Sequence, residues 1–429
     1  MCKTSFSIKE NKLALGLGFL SILVRTLMIC TLDLKYSQCS DFGTYLEFTK
    51  LFVENGFIPC QSHISSAYGI YLYYVPVYWL AGGSLKGILF INACFTGVFT
   101  SFFYLAGKKF TGKIFGIFST LLLIFLPSNI IAHGLVCTEL PSLFFGIFPV
   151  LALYVSSKAS RLKLFIYGVL QGFSFLIRPI NISFLFGLFL LLFLSNNIKK
   201  DKFSYVSILA GFILILLPFS MANFYRYRKI TPTQPKTGYI LTYLYRNPEY
   251  ALKKGRDLSL VNKRKKIYQS LEEDIHGNPY AYDSLLVKEW FRYFSKHPAY
   301  LIEDMFYNAY PFLRDDKGHH YTYTYAKKDQ FYRFWNKILF SKIKIYYDII
   351  YVLGVMGLMI FFVSILFTRQ FNPILSSFSL IFSLQTLGYM ITFGKGRFHF
   401  CIVPILIWLS IYVFSSISHV LRKYFQKKL

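Results

Sequence analysis

Asp41 and Glu47 stand in the stretch CSDFGTYLEF (39–48), directly after the first long apolar run of the chain. Acids are scarce here: 20 of 429 residues are Asp or Glu, against 47 Lys or Arg. A carboxylate just beyond an apolar run is either a solvated loop residue or a proton acceptor in a reaction centre. Glu139 is a second telling acid, set in VCTELP (136–141), where an unpaired carboxylate in apolar surroundings is costly. Among the bases, Arg178 precedes Pro179, and Lys395 and Arg397 lie in GKGRFH (394–399). A guanidinium offers paired donors to phosphate or carboxylate oxygens and stays charged when partly desolvated. The glycines beside Lys395 and Arg397 let a backbone approach a ligand closely.

Other chemistry is thinly supported. His133 and Glu139 make an incomplete metal signature, because no third ligand has diagnostic spacing. No metal is assigned, and no cofactor is required; a divalent cation is compatible with the pair. Arg25 sits inside the first apolar run and must find a partner or reach the interface; pairing with Glu139 is one option and a structural role the other. The seven cysteines form no CxxC pair, which argues against a zinc module or a thioredoxin-like site. Cys39 and Cys60 are either bonded in an oxidising compartment or free. A complete GxxxxGK(S/T) loop and a serine nucleophile elbow are both missing from the sequence (GKKFTGK at 107–113 is followed by Ile114), so nucleotide hydrolysis has no support.

The elements that must position these residues are membrane helices. The chain is 55% hydrophobic and 20% aromatic, with mean hydropathy +0.44. That is more apolar surface than one soluble core buries. Spans are expected near 13–32, 84–106, 114–132, 139–157, 163–177, 180–195, 204–222, 346–367, 373–393 and 398–418. The first is too long, and lacks the small-residue site, for a cleaved signal peptide. Alternate connections are basic: Lys3, Lys9 and Lys12, then GKKFTGK (107–113), SKASRLK (157–163), NNIKKDK (196–202), Arg369 and the tail RKYFQKKL. Basic loops stay on the cytoplasmic side, so about ten spans with both termini inside fit the alternation.

This alternation requires that YGIYLYYVPVYWLAGG (68–83) does not cross. It has 16 residues, Pro76, five tyrosines and a tryptophan, and reads as a juxtamembrane helix at the outer lipid–water interface. The expected fold is therefore all-α and polytopic, in three parts. Residues 1–222 form an N-terminal transmembrane module whose first external loop spans 33–83. Residues 223–345 form a mostly helical external domain, punctuated by Pro279 and Pro298, and 346–429 supply the C-terminal transmembrane helices. The net charge of +27 suits anionic membrane lipids and, spread over loops on both sides, argues against nucleic acid.

On this layout the chain resembles the C-superfamily of glycosyltransferases, near bacterial members of the protein O-mannosyltransferase and lipid A aminoarabinose transferase group. The resemblance rests on SDFGTYLEFTKLFVENG (40–56), GKKFTGKIFG (107–116), LPSNIIAHGLVCTELPSLFF (126–145), GFSFLIRPINISFL (172–185), NFYRYRKITPTQPKTG (223–238) and FGKGRFHFCIVPILIWL (393–409). Each motif is short and degenerate; their shared order carries the likeness. It implies transfer of a sugar from a polyprenyl-phosphate donor to a lipid, glycan or protein hydroxyl. The active site would then face the periplasm or exterior of a bacterial inner membrane. Where family members carry a His-Pro-Pro motif, this chain reads CQSHISSAYGIYLYYVP, with His63 kept and the double proline gone.

Such a transfer needs a base for the acceptor proton and positive charge for the departing phosphate. Asp41 is the expected catalytic base, or else a cap for a helix beginning at Phe42; Glu47 lies off its face and is expected to be solvated. Arg397, Lys395 and Arg178 are the donor-phosphate candidates, each with lipid anchoring as the alternative. Glu139 and His133 are the acceptor or metal candidates, and Glu139 can also organise an arginine or favour a helix start. Two rival functions fit the layout: an O-antigen polymerase or ligase, dependent on arginines of the large loop, and a transporter. The internal repeats that transporters often carry are not evident in the sequence.

Overall fold

The computed structural model describes residues 8–31, 41–55, 68–156, 159–195, 202–246, 248–273, 278–314, 343–368, 372–392 and 401–426. Every regular element among them is helical. In chain order these are α1 (Ile8–Thr31), α2 (Asp41–Asn55), α3 (Tyr68–Leu80), α4 (Leu85–Thr111), α5 (Lys113–Phe125), α6 (Pro127–Ala132), α7 (Glu139–Val155), α8 (Arg161–Ile177), α9 (Ile182–Leu194) and α10 (Lys202–Tyr227). Residues 237–314 supply α11 (Thr237–Leu241), α12 (Pro248–Lys253), α13 (Ser259–Glu273), α14 (Pro279–Lys296) and α15 (Pro298–Arg314). The chain closes with α16 (Ile343–Thr368), α17 (Pro373–Ile391) and α18 (Val403–Gln426).

Local chemistry sets several boundaries. Ser84, Ser160, Asn278 and Asn372 each place a side-chain oxygen on a first-turn amide of the helix that follows, at 3.0 to 3.4 Å. Pro279 and Pro373 then open their helices, where a missing N–H costs nothing. Gly112, at φ +92, turns the chain from α4 into α5, a conformation that side chains rarely adopt.

Among the described residues, five helices are long and apolar enough to cross a membrane: Lys12–Thr31, Leu85–Thr111, Lys202–Tyr227, Asp348–Leu366 and Pro373–Ile391. Lys113–Phe125, Glu139–Val155, Pro179–Leu194 and Val403–Ser418 are apolar but shorter. The expected run 114–132 illustrates the difference: Leu126 is extended and Pro127 starts a new helix, so one stretch becomes α5 and α6. Outward side chains of α10 and α16 are apolar and exposed, among them Leu214, Leu217, Met359 and Phe362, as a lipid-facing surface would be.

The structure corrects one expectation here. α3 has 13 residues, about 20 Å at 1.5 Å per residue, short of a bilayer core. Its aromatics do not wet an interface, however. Tyr68, Tyr71, Tyr73 and Tyr74 are buried; Tyr73 donates to Asn92 Oδ1 at 2.6 Å and Tyr74 to the Cys137 carbonyl at 2.8 Å. Only the end of the helix, at Trp79 and Leu80, is largely exposed. Tyrosine serves as core here because partners within the fold satisfy its hydroxyl.

Helices α11–α15 have their own core around Tyr245, Leu260, Trp290, Tyr293 and Phe294. Beside it, buried Arg256 pairs with Asp304 at 2.5 Å, and Asp304 also accepts from the Tyr245 and Tyr250 hydroxyls. Asn308 ties the region to the end of α17 by donating to the Met390 and Thr392 carbonyls, both at 3.2 Å.

Candidate functional site

α2 begins at Asp41, so the carboxylate sits in its first turn and shares a helical face with Tyr45 one turn on. Glu47 is exposed on another face. α2 is fixed by α3: Tyr71 receives Phe48 edge-on at 6.3 Å and Phe52 at 4.8 Å between ring centroids. α3 in turn lies hard against the end of α8, because a Cβ at Gly69 would run into the Ile177 amide. The residue after Ile177 is Arg178, and Tyr45 lies within its electrostatic reach.

Arg178 and Glu139 form the centre of the site. Arg178 Nη2 meets Glu139 Oε1 at 2.5 Å, with side chains 11% and 1% exposed. Arg178 Nε and Nη2 both donate to Thr138 Oγ1, at 3.1 and 2.6 Å, and Nη1 reaches the Tyr389 hydroxyl at 3.4 Å. Beneath the pair, Asn181 Nδ2 donates to Ser142 Oγ at 2.5 Å and to the Ser174 carbonyl at 3.0 Å. Gln385 Nε2 donates to Asn181 Oδ1 at 3.3 Å. This polar ladder locks α7, α8, α9 and α17 in register, and each member supports the next.

Asp41 lies within electrostatic reach of Lys236, the residue before α11. Burial pushes the Lys236 ammonium down to about 8, and the nearby Asp41 charge opposes that shift. The position of Lys236 is set on both sides. Upstream, Asn223 of α10 donates to the Thr231 carbonyl at 2.7 Å and accepts from Tyr68 of α3 at 3.1 Å. Tyr280 donates to the Thr233 carbonyl at 2.6 Å. Downstream, Asp283 of α14 accepts from the Gly238 and Tyr239 amides at 2.8 and 3.2 Å. Asp41 and Lys236 are therefore both referred to α3.

Several sequence expectations change. Glu139 pairs with Arg178, not with Arg25, because the Thr138–Glu139 turn is carried to the end of α8. The same pairing occupies the Nε–Nη2 edge of Arg178, the fork expected for donor phosphate. His133 is engaged within the fold: its Nδ1 donates to the Asn129 carbonyl at 2.6 Å, and its Nε2 lies 2.7 Å from Thr96 Oγ1. Both ring nitrogens are then used inside the fold. Among the described residues, no group of three or more His, Cys, Asp or Glu is placed to hold a metal ion. Lys395, Arg397, His63, Cys39 and Cys60 lie outside the described residues. Tyr389 and Cys401, on either side of the Lys395–Arg397 segment, both lie within electrostatic reach of Arg178.

Sequence reading missed Lys236, Tyr45, Thr138, Ser142, Asn181, Gln385 and Tyr389. Asn181 and Gln385 carried a signal, as polar residues inside apolar runs; Lys236 carried none, being one lysine among many. The chain matches no protein-family model and no curated protein.

Proposed function

We propose that this chain is an integral-membrane glycosyltransferase that moves a sugar from a polyprenyl-phosphate donor to a hydroxyl acceptor on the non-cytoplasmic face. In this reading ten helices cross the membrane, the shorter apolar ones among them, in a bacterial plasma membrane. The observation that carries it is the buried Lys236 ammonium beside Asp41, with Tyr45 of the same helix within electrostatic reach of Arg178.

The chemistry follows from that placement. Asp41 accepts the acceptor's hydroxyl proton as the oxygen bonds to the anomeric carbon. The bond from that carbon to the phosphate oxygen breaks, and the electron pair leaves with the polyprenyl phosphate. Lys236, with Arg397 and Lys395, stabilises this negative charge. Arg178, held by Glu139, anchors the site and offers its Nη1 edge. Glu139 acts by organising the arginine, and the acceptor is a lipid, glycan or protein.

The test is direct. Purified protein is incubated with polyprenyl-phosphate-linked hexoses and pentoses and a mixture of hydroxyl acceptors. Release of polyprenyl phosphate coupled to acceptor glycosylation supports the reading. Acceptor chains that lengthen at the expense of a diphosphate-linked oligosaccharide, with the monophosphate donors untouched, would make it a polymerase or ligase instead.

A further inference from the structure

Arg25 is buried with no exposed surface, six residues inside the last residue of α1. That is about 9 Å below the outer end of the helix. α1 and α4 run antiparallel and close: a Cβ at Gly97 would meet the Gly18 carbonyl, and Ser101 Oγ donates to the Ala14 carbonyl at 3.0 Å. Ser21 Oγ meets Thr100 Oγ1, also at 3.0 Å. One turn outward on each helix brings Arg25 level with Thr96, the residue that holds His133.

The guanidinium is only partly engaged. Nη1 donates to the Ser21 carbonyl at 2.9 Å, while Nε and Nη2 have no hydrogen-bond partner among the described residues. Those two nitrogens form one edge of the guanidinium. Their parallel N–H groups are the fork that grips two oxygens of a phosphate or carboxylate. Among the described residues, the helices packed on α1 supply no carboxylate for it. α4, α5 and α6, which pack on α1, contain neither Asp nor Glu. Glu10, on α1 itself, is 15 residues away, about 22 Å along the axis, and Glu139 is taken by Arg178. A buried cation left uncompensated costs an amount comparable with the net stability of a fold, so this open edge calls for an anionic partner.

We infer that the Nε–Nη2 edge of Arg25 is a binding site for a phosphate oxyanion in the seam of α1, α4 and α6. Phosphate is favoured over carboxylate by depth: headgroup phosphates flank the ends of a membrane span, and Arg25 lies under two turns from that level. The source is a phospholipid headgroup or free inorganic phosphate. The inference is independent of the transferase reading.

The full chain, purified and delipidated in a maltoside detergent, is unfolded thermally against inorganic phosphate at fixed ionic strength, and separately against phosphatidylglycerol. Native mass spectrometry records any retained phospholipid. The wild-type midpoint should rise by several degrees with one probe, and that probe names the source. Arg25→Met should respond to neither, with a midpoint at or above that of the probe-free wild type. Arg25→Lys keeps the charge but loses the fork, and should need several-fold more probe. A wild-type midpoint indifferent to both probes, with no retained lipid, overturns the inference; so does an Arg25→Met protein that responds as wild type does. If Arg25→Met does not fold, an Arg25→Lys response equal to wild type is the overturning result.

Discussion

Lys236, just before α11, holds its ammonium within electrostatic reach of Asp41 in the first turn of α2. Two segments far apart in sequence thus meet over α3, which each touches through a tyrosine: Tyr71 under α2 and Tyr68 under the Asn223 strap.

This pairing predicts an alkaline limit to activity. Lysine ordinarily titrates near 10.5, and burial brings Lys236 to about 8. Between those values the unfolded chain binds more protons than the folded one, so this group makes the fold more stable as pH rises through the window. Catalysis runs the opposite way, since the positive charge beside Asp41 is lost above about pH 8. Transfer by the wild type should fall above that pH, and Lys236→Arg should keep its rate there. Initial rates measured across neutral and alkaline pH decide it; coincident profiles for the two proteins would remove Lys236 from the chemistry.

Asp41→Asn should leave an inserted, stable protein, because Asn is as well tolerated as Asp at the start of a helix. Transfer should drop by about 10²-fold or more, the usual scale for losing a positioned base. Glu47→Gln, on the exposed face, should be close to wild type. Near-normal turnover by Asp41→Asn would return Asp41 to the role of a helix-start residue.

Glu139→Gln leaves the Arg178 charge buried beside a neutral amide. Losing one member of a buried pair costs about 3–5 kcal/mol. Replacing both, as Glu139→Gln with Arg178→Met, should recover much of that loss. Unfolding midpoints of the two single variants and the double variant in detergent give the coupling. Additive losses would mean that the pair does not act as a unit.

Topology offers a test free of any assay for transfer. A reporter fused after Arg256 should be active only when exported, and one fused after Lys109 should behave as cytoplasmic. Export of the Lys109 fusion would turn α3 into a crossing and move Asp41 and Lys236 to opposite sides.

Sequence and structure agree where the signal is local. Apolar runs fall on helices, and α2 starts within a residue of the expected Phe42 because SDF offers a helix-start pattern. Long-range pairing is another matter. Nothing in the periodicity of ELPSLFF or SFLIRPI says that Glu139 will meet Arg178, since that depends on how α7 and α8 are set against α3. His133 misled for the same reason: an isolated histidine near a glutamate looks like a ligand until Thr96 and the Asn129 carbonyl are seen to occupy it. The tyrosines of α3 looked interfacial by composition, yet the hydroxyl acceptors that let them sit inside belong to Asn92 and Cys137, on other elements.

Gly69 gives the site a hinge pin. α3 touches the last turn of α8 through that bare backbone, carries α2 on its other side, and ends α8 one residue before Arg178. A methyl group at position 69 would act as a wedge, prising α3 from α8 while leaving every charged residue in the sequence. The setting of α2 against Arg178 would shift by mechanical leverage alone, so a single carbon that alters no charge can detune the proposed site.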